Sequence, residues 1–255
     1  MYPEERQQAI ATTVMSRGRA SVAELAATYA VTTETVRRDL AALDRAGVLR
    51  RVHGGAVPAR TLHVVESGVA EREGTRADHK DSIARAATEF FPINGGSVLF
   101  DAGTTTARVA GMIPSDHELT VVTNSVPIAA RVSAFPATSL QLLGGRVRGL
   151  TQAAVGEQVL RVLDTLRVDI AFIGANGITT GHGLSTPDTE EAAVKRAMVR
   201  CANYVVVVAD SSKIGHEDFV SFARLEDVDA LVTDDEIGDD ARAEITSAGI
   251  EVVIA

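Results

Sequence analysis

Cysteine is nearly missing from this chain: Cys201 is the only one in 255 residues. An internal disulfide is therefore excluded, and a reducing compartment fits. The apolar-periodic stretch "AMVRCANYV" around it is the setting of a buried structural thiol. Long hydrophobic runs are missing too, since none reaches the ~18 apolar residues that a membrane helix requires. The opening "MYPEERQQAI" is acidic and polar rather than a secretory leader, so a cytoplasmic protein with no membrane partner is expected. His182 and His216 stand in glycine-flanked loops without a further ligand at zinc-like spacing, and neither a metal nor another cofactor is expected. A Gly-x-Ser-x-Gly elbow and a Cys/His pair are both lacking, which argues against hydrolytic chemistry. There is no internal repeat and no low-complexity segment.

Positive charge is scarce overall, with 25 Lys and Arg against 34 Asp and Glu, a net of −9. It is also unevenly placed. Residues 1–60 carry nine basic and six acidic side chains, whereas residues 61–255 carry sixteen and twenty-eight. A small head of net +3 thus precedes a body of net −12. That asymmetry suits a polyanion-binding module joined to something else. Within the head, "TTETVRRDLAALDRAGVLRRVHGGA" gathers five arginines and a histidine around a Gly-Gly pair.

The head reads as three helices and a hairpin. "PEERQQAIATTVMSRG" places Ile10 and Val14 on one side of a first helix, which stops at Gly18. Ser21 and Glu24 can form a capping box for the second, and Thr32 can cap a third that runs to about Ala46 before Gly47. In that third helix Val36, Leu40 and Leu43 lie within about 60° of one another and make the buried stripe. Arg38 and Arg45 fall on the opposite side with Ala41 and Ala42, flanked by Thr35 and Arg37. Small alanines between long polar groups suit a helix lying in a major groove about 12 Å wide. Thr33, Thr35, Arg37 and Arg38 occupy the first turn and a half, the part that meets base edges and phosphates. "VLRRVHGGAV" then supplies two β-prone arms around His53-Gly54-Gly55, from which Arg50, Arg51 and His53 would reach the sugar-phosphate backbone or minor groove. Any one of these arginines is also what a solvated helix face carries. The combination describes a winged helix-turn-helix. One such small module rarely supplies enough contacts, so a homo-oligomer, dimer or tetramer, is expected.

Residues 58–75 are polar and aperiodic, and are expected to link a DNA-binding domain over residues 1–57 to a second domain over residues 76–255. From the helix "KDSIARAATEFF" onward the pattern is α/β. The apolar runs in "GSVLFDA", "LTVVTNS", "LQLLG", "VDIAFIGA", "NYVVVVAD", "DALVTD" and "IEVVIA" are continuous rather than alternating. Such strands are covered on both faces, hence a largely parallel sheet. Ligands of such sheets bind beyond the carboxyl ends of the strands. In the run from Asp101 through Gly103 to Thr104, Thr105 and Thr106, the glycine permits a tight turn and the threonines open a helix whose amides and hydroxyls suit phosphate. An ordinary helix cap reads the same. No Lys-Ser/Thr follows, so this is not a nucleotide-hydrolysing loop. Lys80, Arg148, Lys195 and Lys213 lie near predicted strand ends and suit a sugar phosphate, with Asp101, Asn124 and Asn176 available to its hydroxyls.

The run "VTTETVRRDLAALDRAGVLRRVHGGA" resembles the N-terminal signature of the DeoR family of bacterial transcription regulators. "DAGTTT", "VVTNS", "LLGGRVRGLTQAAVG", "VDIAFIGANGI", "GHGLSTPDTEEAAVKRAMV" and "VVVVADSSKIG" resemble its sensor domain, which is similar in fold to ribose-5-phosphate isomerase and related sugar-phosphate isomerases. Wording such as "HGLST" and "VSF" is similar to actinobacterial members that control phosphotransferase-system and fructose genes. The resemblance implies a regulator of sugar-uptake and catabolism genes, a repressor more often than an activator. Its partners would be operator double-stranded DNA and a phosphorylated sugar, with a fructose phosphate as the leading guess. It also raises a rival, a sugar-phosphate isomerase-like enzyme. The isomerases carry an Asp-Gly-Ala-Asp run at the end of a central strand. Here Ile173-Gly174-Ala175-Asn176 puts an apolar group and an amide where the two carboxylates would accept protons, although Asp188, Glu190 and Glu191 follow closely. A sensor rather than an enzyme is expected, with the effector moving the helix around Lys80.

Overall fold

The computed structural model describes residues 3–17, 20–45, 48–52, 54–58, 68–93 and 95–255. The chain separates into two compact units, residues 1–63 and 64–255.

The first unit contains α1 (Pro3–Arg17), β1 (Ala20–Ser21), α2 (Val22–Tyr29), α3 (Thr33–Arg45), β2 (Leu49–Val52) and β3 (Gly55–Pro58). The Ser21 hydroxyl accepts from the Glu24 N–H at 3.2 Å while the Ser21 N–H donates to the Glu24 carboxylate at 2.8 Å, which closes the capping box of α2. Ala30 ends α2 in the left-handed region at φ 53°. Thr32 then starts α3 by accepting from the Thr35 N–H at 3.2 Å. Val36, Leu40 and Leu43 are buried with Ile10, Val14 and Leu25, so the stripe on α3 does fix which way the helix faces. β3 lies between β1 and β2 in a small antiparallel sheet. Gly54 takes φ +80° at the turn, and a Cβ on Gly55 would stand 2.3 Å from the Ala20 carbonyl oxygen, so the Gly-Gly pair answers two separate constraints. The sequence reading has no counterpart of β1, which is only two residues long. Gly18, Gly47 and His53 lie outside the described residues.

The second unit opens with α4 (Val69–Gly74) and α5 (Ala77–Ala87). There follow β4 (Ser97–Phe100), α6 (Thr104–Ala110), β5 (Thr120–Thr123), α7 (Val126–Val132), β6 (Ser139–Leu142), β7 (Arg146–Arg148), β8 (Ala153–Val155) and α8 (Glu157–Leu163). The remainder comprises β9 (Val168–Ile173), β10 (Gly177–Thr179), β11 (Gly183–Thr186), α9 (Thr189–Cys201), β12 (Ala202–Val208), β13 (Val220–Ala223), β14 (Ala230–Thr233), α10 (Asp239–Ser247) and β15 (Glu251–Ile254). A seven-stranded parallel sheet runs in the order β15-β14-β12-β9-β4-β5-β6. Its continuous apolar runs divide between two cores. Leu99, Ala171, Ile173, Val205 and Val207 face α8 and α9. Val98, Phe100, Phe172, Val206 and Val208 face α5, α6 and α7. Phe100 and Phe172 stack at 5.3 Å between ring centres within that second core. Cys201 is buried, and burial raises its thiol pKa. Two smaller antiparallel sheets, β7-β8 and β10-β11-β13, have no counterpart in the sequence reading. The expected linker also needs correcting. Part of residues 58–75 is α4, a helix too short to show a period and held instead by tertiary bonds. No helix among the described residues is long and apolar enough to cross a membrane.

Candidate nucleic-acid interface and ligand crevice

On α3, Thr33, Arg37 and Arg38 are exposed and Thr35 is half-buried. Arg37 and Arg38 approach Glu34 only at 3.7 and 3.8 Å. Exposed pairs within one helix contribute a few tenths of a kcal/mol, so both guanidiniums are free to exchange partners. Arg45 ends α3, and Arg50 and Arg51 lie in β2 opposite Val57 and Ala56. The side chains of these three and all of His53 lie outside the described residues. Under the exposed face, the buried Asp39 carboxylate accepts from Arg6 Nε at 2.6 Å, Arg6 Nη2 at 3.3 Å and Gln7 Nε2 at 3.1 Å. That hydrogen bonding raises the Arg6 pKa still further above its ordinary value. The tie docks α1 on the helix that carries Arg37 and Arg38. Sequence reasoning missed it, although Asp39 sits three residues after Val36 and so shares its inward face.

In the second unit the strand order reverses between β4 and β9, because β4 continues towards β5 and β6 while β9 leads towards β12. Such a switch point opens a crevice at the carboxyl ends of the two strands. Asp101, just beyond β4, is buried there against Lys195 of α9 and accepts from the Gly174 N–H at 3.1 Å. Lys195 Nζ also donates to the Gly174 carbonyl at 2.9 Å and lies 5.4 Å from the Phe222 ring centre. Burial raises the Asp101 pKa, and Lys195 and the Gly174 N–H oppose that rise. Thr104 and Thr105 are buried at the start of α6, and neither hydroxyl makes a hydrogen bond among the described residues. Lys213, in the turn after β12, is half-buried, and its ammonium is also unpaired among the described residues. Asn176 lies beyond β9, its side-chain oxygen accepting from Thr186 at 3.3 Å.

Other expected ligands spend their polar atoms on the protein itself. The Thr106 hydroxyl donates to the carbonyls of Asp101 and Gly103 at 2.7 and 3.0 Å. Asn124 accepts from the Ala102 N–H at 3.1 Å and donates to the Ala154 carbonyl at 3.0 Å, tying β4, β5 and β8 together. Arg148 binds Glu191, and Asp188 at 3.3 Å, with Thr151 also donating to Glu191. Gly103 is extended, at φ −173°, and caps α6. Lys80 donates to the carbonyls of Arg72 and Thr75, and burial lowers its pKa.

Sequence reasoning also missed Arg76, the first residue of the expected second domain. It binds Asp210 at 3.3 Å, Asp234 at 3.2 Å and Glu236 at 2.8 Å beyond β12 and β14. His79, Asp234 and Asp235 offer possible metal ligands within 4.8 Å of one another. Asp234, however, is already taken by Arg76 and by the N–H groups of Ser211 and Glu236, so the group reads as an ion-pair network. The carboxylates that could have served as displaced bases are committed as well. Asp188 caps α9, Glu190 pairs with Arg146, and Glu191 is buried with Arg148.

Residues 6–61 match the DeoR-like helix-turn-helix domain, and residues 75–235 match the DeoR C-terminal sensor domain. The chain belongs to the DeoR family. It is 38% identical to the HTH-type transcriptional regulator GlpR of Haloferax volcanii, over 99% of this chain and 98% of that one. The glycerol-3-phosphate regulon repressor of Escherichia coli is 31% identical, over 92% of each. The lactose phosphotransferase system repressor of Streptococcus mutans is 34% identical, over 92% of this chain and 93% of that one. Among solved structures, ribose 5-phosphate isomerase A of Methanocaldococcus jannaschii is similar at a TM-score of 0.41 and 18% identity, over 55% of each chain, too slight a likeness to carry any conclusion about chemistry. As a DeoR protein this chain is a transcription regulator and not an enzyme.

Proposed function

We propose that this DeoR regulator represses sugar-uptake or catabolic genes, and that a phosphorylated sugar in the β4–β9 crevice weakens its grip on operator DNA. The observation that carries the effector half is the crevice itself. An acidic unit places Lys195 and the open hydroxyls of Thr104 and Thr105 where its strand order reverses, with Lys213 in the turn beyond the adjoining β12. Cations and hydroxyl donors in one cleft recognise an anion that also carries hydroxyl groups. Thr33, Thr35, Arg37 and Arg38 meet the major groove, and the β2–β3 hairpin with Arg50, Arg51 and His53 meets the flanking backbone. Two such heads act together in a dimer or tetramer. A fructose phosphate is the first compound to try, on the strength of the "HGLST" and "VSF" wording. The glycerol-3-phosphate and lactose phosphotransferase names of two relatives fit the same class of small phosphorylated carbon compounds.

The test is thermal unfolding with fructose 1-phosphate, fructose 6-phosphate, ribose 5-phosphate and glycerol 3-phosphate, each beside its unphosphorylated counterpart. One phosphorylated compound should raise the unfolding temperature and be recovered unchanged. Isomerisation of any of them, or no shift with all four, would contradict the reading.

A further inference from the structure

Residues 68–76 form a strap over the carboxyl edge of the sheet. At one end the Val69 N–H donates to the Leu150 carbonyl at 3.0 Å, in the β7–β8 hairpin that pairs with the segment after β5. At the other end Arg76 binds the carboxylates beyond β12 and β14. Between these anchors α4 packs on α6, the helix that begins beside the crevice, so the strap passes over the ends of β4 and β9. Lys80 holds it through the Arg72 and Thr75 carbonyls, and Arg108 holds it through Glu73. Only Val69 and Arg72 of α4 face inward; the other four residues are exposed.

Arg72 is what the fold leaves unexplained. Its Nε and Nη2 are buried without a hydrogen-bond partner, and the guanidinium makes no ion pair among the described residues. Arg76 and Arg108, its neighbours on the strap and α6, are each held by carboxylates. A guanidinium is always charged and presents its donors as a fork that matches a phosphate. Keeping two of its three nitrogens dry and unpaired is costly, and no ion pair or hydrogen bond of the guanidinium among the described residues offsets that cost. We propose that Arg72 is a ligand of the effector's phosphate, which binds between α4 and α6 against the inner face of the strap. This inference rests on the sugar-phosphate reading above. It goes further in placing one phosphate ligand on the segment that leads, in sequence, from the DNA-binding unit into the sensor. Effector binding then fixes the connecting segment directly.

The test is thermal unfolding of the full chain, wild type and Arg72→Met, Arg72→Lys and Arg161→Gln, titrated with inorganic phosphate and with the four phosphorylated compounds named above. Arg72→Met should leave the ligand-free unfolding temperature equal to or above that of wild type, because it removes an unpaired buried charge. Its affinity for the best compound should fall about tenfold or more, as expected for a lost charged hydrogen bond. Arg72→Lys should keep part of that affinity, and Arg161→Gln, an exposed charge loss on α8, should behave as wild type. A lower ligand-free unfolding temperature in Arg72→Met would make Arg72 a structural residue and overturn the proposal. Wild-type affinity in Arg72→Met would overturn it while leaving the effector reading intact. Equal wild-type shifts from inorganic phosphate and from the sugar phosphates would make this a site for free phosphate and overturn the effector role. No shift in the wild type with any compound would remove the effector reading itself.

Discussion

Arg37 and Arg38 on α3 have side chains 57% and 81% exposed, whereas Lys195 and Asp101 in the sensor keep only 5% and 2%. The first pair of cations meets Glu34 loosely through water's high dielectric; the second pair is locked in the protein interior. Exposed charges cost little to hold and little to release, so they suit a polyanion met and left repeatedly. Buried pairs keep a crevice in shape before any ligand arrives, and removing one partner strands the other. One unit therefore keeps its charge available, and the other uses its charge to build a site.

The sharpest way to break this comparison is Lys195→Met, which leaves Asp101 buried without its cation. A loss of about 3–5 kcal/mol in unfolding free energy is expected, and a loss below about 1 kcal/mol by denaturant titration would show that the pair is dispensable. Arg76→Ala should cost somewhat less, about 2 kcal/mol at pH 7, because its side chain is 24% exposed and solvent screens it. That penalty should depend on pH. Burial alone would raise the Asp234 pKa, but hydrogen bonds from Ser211 and Glu236 and the charge of Arg76 hold it below the ordinary value. The unfolded chain thus takes up the proton first as pH falls. The Asp234 contribution is complete above the unfolded carboxylate pKa of about 3.9 and is lost as pH drops through the lower folded value. Unfolding midpoints of wild type and Arg76→Ala should converge below about pH 4, and a constant gap would assign the effect to other partners. Within the first unit, Asp39→Ala frees Arg6 and should visibly lower the unfolding temperature. Arg38→Ala, one residue away, should change stability by less than about 0.5 kcal/mol. It should still weaken DNA binding and reduce the salt slope by about one. A large stability loss in Arg38→Ala would mean that its exposed position misleads.

Much of this architecture was legible in the residues. All seven strands of the main sheet announce themselves as continuous apolar runs, and Ser21, Glu24 and Thr32 mark the helix starts in the head. Of the others, β7, β10, β11 and β13 mix apolar residues with Arg, Gly, Ser or Thr, and β8 is only Ala-Ala-Val, so none stands out as an apolar run. For the crevice, residue type indicated the neighbourhood but not the partners. Asn124 and Thr106 have ligand-like side chains, yet their hydrogen bonds go to backbone groups brought in by the fold. Lys195 meets Asp101 across 94 residues of sequence, a pairing that only the β4–β9 switch creates. Arg72 was invisible for a different reason, because what singles it out is that its guanidinium has no partner among the described residues.

The central claim is that a phosphorylated ligand in the sensor controls DNA binding by the head. Its most direct test is the affinity of the full chain for its own upstream DNA, measured by footprinting with and without the phosphorylated sugar that stabilises the protein most. The account predicts a protected site whose affinity falls steeply with salt, with a slope of about −0.9 per phosphate contact. It also predicts that the ligand changes that affinity by about 5- to 150-fold at fixed salt. No protection even at low salt, or protection that no phosphorylated sugar alters, would contradict it.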